Sequence, residues 1–107
     1  MIVATTDAIP GKRVVRVIGL VRGNTVRCRH IGQDITATMK NLTGGEIRQY
    51  TKLMAEAREQ ALDRMREEAA QLGANAIVGL RFMTCEVMER SAELLVYGTA
   101  VIVEDDR

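Results

Sequence analysis

A chain of 107 residues is long enough for one domain with one hydrophobic core. Fifteen Lys and Arg against fourteen Asp and Glu leave a formal net charge of +1, so no global field gathers nucleic acid or an anionic membrane. Aromatic residues make up 3% of the chain and Trp is absent. That removes the stacking platforms that exposed bases need and leaves a core of Val, Ile, Leu, Met and Ala.

No run of eighteen apolar residues occurs, and Met1 to Pro10 carries Asp7 without a basic start or an apolar signal core. The expectation is a cytoplasmic protein with no membrane contact. Cys28 and Cys85 are then expected as reduced thiols rather than a disulfide.

In chain order, Met1 to Thr6 is a short β-prone edge segment closed by the turn Ile9-Pro10-Gly11. Arg13 to Arg27 alternates, with Val15, Val17, Gly19 and Val21 on one face and Val14, Arg16, Ile18, Leu20 and Arg22 on the other. Both faces are partly apolar. The pattern suits a strand with a helix on one side and another subunit on the other, with a bend or bulge at Gly19 and a turn signal at Gly23-Asn24.

From Ile31 to Leu42 the apolar spacing becomes helical and Asp34 stands as an N-cap, which predicts a short helix. A long helix follows. Thr43 and Glu46 fit a capping box, and Leu42 and Ile47 occupy the positions of a hydrophobic staple. Its apolar stripe is Ile47, Tyr50, Met54, Ala57, Ala61, Met65, Ala69 and Leu72, and Gly73 supplies the C-terminal stop. At 1.5 Å per residue this helix spans roughly 40 Å, against a radius of gyration of about 13 Å for a compact chain of this length. One end must project or be covered by a neighbour.

Ala76 to Val87 and Glu93 to Val103 read as two strands of an antiparallel hairpin joined by Met88-Glu89-Arg90-Ser91. The second is apolar on both faces, so it is expected in the middle of the sheet. The fold class is α+β, a three-stranded antiparallel sheet on one long helix, with an extra short N-terminal strand and a short helix. The sheet face away from the helix needs a cover, and a second copy of the chain is the expected one.

Thr5-Thr6, Ile9-Pro10-Gly11, Gly19, Val21, Gly23, Asp34, Gly44-Gly45, Tyr50, Ala57-Arg58-Glu59, Leu72-Gly73-Ala74-Asn75-Ala76-Ile77-Val78-Gly79 and Gly98-Thr99-Ala100-Val101 occur in this order over almost the whole chain. In that combination the sequence resembles the YbjQ-like family. The resemblance implies a dodecin-like β-α-β-β subunit, a closed homo-oligomer of five copies, and binding of a heavy or transition metal ion. The chain differs from the family pattern at Glu46, where an arginine is common, and at Arg81, Met83 and Cys85, where acidic residues are common.

Three groups of residues could carry binding chemistry. Cys28 and His30 stand at i and i+2 at the end of a strand, a spacing that can present two soft or borderline ligands, and Cys85 could complete a metal site with them. The competing reading is a buried thiol beside a surface histidine. Thr43, Gly44 and Gly45 place free backbone N–H groups at a positive helix end, where an anion could bind. Glu46 can occupy the same donors, which favours a packing point between backbones. Arg13, Arg16, Arg22, Arg27 and Arg29 form a basic strand region that could meet RNA or an acidic partner, though such arginines more often pair with glutamates of a neighbouring helix. With one His, no nucleophile in a recognisable setting and no phosphate-binding loop, the expectation is a binding module rather than an enzyme.

Overall fold

The computed structural model describes residues 1–28, 44–88 and 91–106, with side chains over 1–26, 51–86 and 92–106. Its elements are β1 (Ile2–Val3), β2 (Lys12–Cys28), α1 (Gly44–Gln71), β3 (Ala76–Met88) and β4 (Ser91–Asp105). The short helix expected over 31–42 lies outside the described residues.

The sheet has four strands in the order β1-β3-β4-β2. β4 is central as expected, antiparallel to β2 from Lys12↔Asp105 to Cys28↔Ser91 and antiparallel to β3 from Ala76↔Val101 to Met88↔Ser91. The fourth strand is a departure from the three-stranded expectation. β1 joins β3 in parallel, which makes the sheet mixed. Two residues carry too little alternation to reveal a pairing partner. Backbone bonds following β1 hold the segment: Ala4 N–H donates to Ile77 O at 2.9 Å, Gly79 N–H to Thr6 O at 2.9 Å and Leu80 N–H to Ala4 O at 3.1 Å.

β2 does not alternate strictly. Its register shifts between Val14 and Arg16 and again between Val17 and Gly19, where Gly19 adopts φ 144°. Each shift inserts a residue and changes which side chains face the helix. Ile18 and Val21, on opposite faces by simple alternation, therefore pack into the same core. The turn signal at Gly23-Asn24 also resolves differently. The strand runs through it, and Gly23 is the point where α1 comes closest.

α1 lies over β2 and β4. Val21, Ala61, Met65, Ala69, Ala74, Ile77, Leu80, Val96 and Ala100 form the core between them. Ala57, Ala61, Met65 and Ala69 of the expected stripe are buried, whereas Leu72 is exposed. The helix ends just before Leu72 in a Schellman motif, with Gly73 at φ 86°. Ala74 N–H donates to Ala69 O and Gly73 N–H to Ala70 O, both at 3.0 Å. This reversal carries Ala74, not Leu72, into the core.

Among the described residues the opposite sheet face is covered only at one end. There Ala76, Val78, Val101 and Val103 are buried with Ile9 of the N-terminal segment against them. Toward the hairpin end no described residue covers it, and Leu20, Val26 and Met83 are exposed. The chain is accordingly elongated, with a radius of gyration of 17.1 Å against about 13 Å for a compact chain of its length.

Candidate binding face of the sheet

The uncovered face can be read row by row from the strand register. Val21, Gly23 and Thr25 meet the helix, so Leu20, Arg22, Asn24 and Val26 point the other way. Thr99 pairs with Leu20 and Val78, and Tyr97 with Arg22 and Arg81. Leu95 pairs with Asn24 and Met83, and Glu93 with Val26 and Cys85. The face is thus a mixture of exposed apolar side chains (Val17, Leu20, Val26 and Met83) and two arginines flanking a half-buried tyrosine.

Arg81 is held in place by its Nη1, which donates to Thr5 O at 2.9 Å and to Leu80 O at 2.8 Å. Arg22 is exposed and makes no ion pair among the described residues. One row further along, Asn24 Nδ2 donates to Glu93 Oε2 at 3.1 Å, and Arg64 of α1 donates to Asn24 O at 2.6 Å. Among the described residues, no arginine of this strand pairs with a carboxylate of α1. Arg13 instead meets Glu104 of β4 at 3.3 Å, and Lys12 meets Asp105. The side chains of Arg27 and Arg29 lie outside those described.

Of the metal candidates, Cys85 is a free, exposed thiol on β3, paired across the sheet with Glu93. Cys28 ends β2 opposite Ser91, and its side chain lies outside those described, as does His30 altogether. β4 separates β2 from β3 and the two positions face β4 residues two apart, so their backbones stand about 12 Å apart, two strand spacings across and two residues along. A zinc–thiolate bond is about 2.3 Å. Among the described residues no three His, Cys, Asp or Glu side chains come together. Cys85 and Glu93 offer one thiol and one carboxylate, and that donor set does not complete a metal centre within the described part of one chain.

Gly44 and Gly45 open α1, while Thr43 lies outside the described residues. The row Arg22–Tyr97–Arg81 was not legible in the sequence. Each residue sits on an identifiable strand face, yet their alignment depends on register between three strands.

No described helix is long and apolar enough to cross a membrane. The family model described as "Putative heavy-metal-binding" matches residues 1–104. A UPF0145 protein of Clostridium perfringens is 52% identical over 105 residues, covering 98% of this chain and 99% of that one. A UPF0145 protein of Thermococcus kodakarensis is 53% identical over 106 residues, covering 99% and 94%. The crystal structure of a protein of unknown function from Pediococcus pentosaceus, assigned to the DUF74 family, superimposes with a TM-score of 0.66 at 17% identity. It covers 97% of this chain and 98% of that one, a likeness of fold. With a family model spanning nearly its whole length and relatives of about half-identical sequence, the chain belongs to the YbjQ-like family, UPF0145.

Proposed function

We propose that this chain is a non-enzymatic binding module that works as a closed ring of identical copies in the cytoplasm and takes up heavy-metal ions at contacts between copies. The observation that carries the reading is the open sheet face, where Leu20 is 64% and Val17 63% exposed. Apolar side chains presented in a contiguous patch on a sheet mark an interaction surface. β2 also runs for 17 residues at the edge of the sheet, a second surface that proteins ordinarily cover. The metal part rests on the family description and on the thiol of Cys85 beside Glu93. Further donors would have to come from a neighbouring copy. Five is the ring size that the family resemblance implies.

Light scattering together with elemental analysis of the purified protein tests both parts. A ring mass with stoichiometric metal, lost in Cys85→Ser, is the expected result. A monomer removes the assembly. A ring that takes up neither zinc nor copper(I) removes the metal and leaves the second reading, a scaffold for a small ligand or another protein. The apolar and basic character of the open face favours that reading.

A further inference from the structure

The open face has a complement elsewhere on the same chain. Along α1, Glu56, Glu59 and Asp63 follow one another at spacings of three and four residues and line a shallow hollow of about 490 Å³ with Ala55 and Gln60. Lys52 and Arg66 stand one turn beyond either end of this acidic stretch, and Arg66 touches Asp63 at 3.4 Å in an exposed pair. Resting on the assembly proposed above, we infer that this stripe of one copy docks across the row Arg22–Tyr97–Arg81 of the next.

Three observations converge on that contact. The first is span. Glu56 and Asp63 are seven residues apart, about 10.5 Å along a helix, and Arg22 and Arg81 flank β4 at two strand spacings, about 10 Å. A helix laid across the strands can set one carboxylate on each arginine. The second is charge. The row holds two cations and no carboxylate, Arg22 is without an ion pair among the described residues, and Glu56 and Glu59 are likewise exposed and unpaired there. The third is direction. α1 packs on the other side of the sheet from this row, so the stripe cannot reach the arginines of its own chain, and the contact has to be made between copies.

The result is a head-to-tail contact, the kind that closes into a ring when the rotation between copies permits. Leu20 and Met83 beside the row supply apolar area, while the ion pairs set which way the helix lies. Exposed pairs of this type contribute little energy singly. Reversing several at once opposes association.

Charge reversal separates this contact from the assembly as a whole. Arg22→Glu/Arg81→Glu, the double variant Glu56→Arg/Asp63→Arg, and the fourfold combination are compared with the unaltered protein by light scattering over a dilution series. Circular dichroism confirms that each variant is folded. Each half-reversal is expected to raise the concentration for half-dissociation about tenfold or more, a loss of roughly 1.4 kcal/mol, and the combination is expected to recover it. Half-reversals that are folded and keep the original mass throughout the dilution overturn the contact while leaving the ring in place. So does a combination that fails to recover. A monomeric unaltered protein overturns the assembly and this contact together. A Glu-rich helical peptide that binds the intact ring and is lost in Arg22→Glu/Arg81→Glu would give the row to an outside partner and also overturn it.

Discussion

Gly23 of β2 lies directly against the carbonyl of Ala61 in α1, so close that a side-chain carbon at position 23 would overlap that oxygen and stand 2.7 Å from the Met65 nitrogen. Both obstacles are backbone, which cannot swing aside. The glycine and the alanine together set the distance between helix and sheet. Gly23→Ala is expected to displace α1 and lower stability by about 1–3 kcal/mol. Urea denaturation at one fixed protein concentration reads it, since assembly would otherwise shift the midpoint. A midpoint equal to that of the unaltered chain would show that the helix rides further from β2.

Among the described residues Met65 is the largest fully buried side chain, and it sits where α1 meets Val21, Val96 and Ala100. The neighbours on its own helix, Ala61 and Ala69, are too small to fill the space it leaves. Met65→Ala is expected to cost about 2–5 kcal/mol, whereas Met65→Leu, which keeps most of the volume, stays below about 1.5 kcal/mol. The pair of measurements separates a cavity from a general intolerance of substitution.

Asn75 works as an additional rung of the sheet. Its Nδ2 donates to Val103 O at 2.9 Å and its Oδ1 accepts from Val103 N–H at 2.8 Å, both partly buried, directly after the helix stop at Gly73. Asn75→Ala removes both bonds and is expected to cost about 1–3 kcal/mol. Asn75→Asp keeps the acceptor and loses the donor. Faster amide exchange at Val103 in both variants would place the loss at this rung.

Lys12 holds the carboxyl of Asp105 below its ordinary value of 3.8, first by a hydrogen bond and then by its charge. A carboxyl depressed in the folded state contributes its stability above the unfolded value and loses it as pH falls through the folded one. The effect is therefore complete above 3.8 and disappears below it. NMR titration of Asp105 should give a midpoint under 3.8 that returns toward the ordinary value in Lys12→Met. The pair is open to solvent, so added salt should narrow the difference.

The helix of residues 44–71, its stop at Gly73, the β3–β4 hairpin and the central place of β4 were all legible in the amino-acid order. Each depends on neighbours within a few residues: capping and apolar spacing for the helix, left-handed freedom at Gly73, two-faced apolar alternation for β4. The family likeness was legible too, because its residues span the chain in order. The candidate site was legible only as separate parts. Cys85 and the arginines of β2 stood out by residue type, but nothing local says which of them share a row.

What the sequence by itself determined is thus the long helix, the strands that follow it and the apolar character of both sheet faces. The tertiary structure decided the rest. It brought β1 beside β3, moved Ile18 and Val21 to one side through the register shift at Val17–Gly19, turned Gly23 from a turn signal into a helix contact, and aligned Arg22, Tyr97 and Arg81. Those outcomes depend on pairing between residues up to about ninety positions apart, and a shift of one residue along a strand exchanges its two faces. Periodicity within a strand says that a face exists. Only the register across strands says which side chains meet on it.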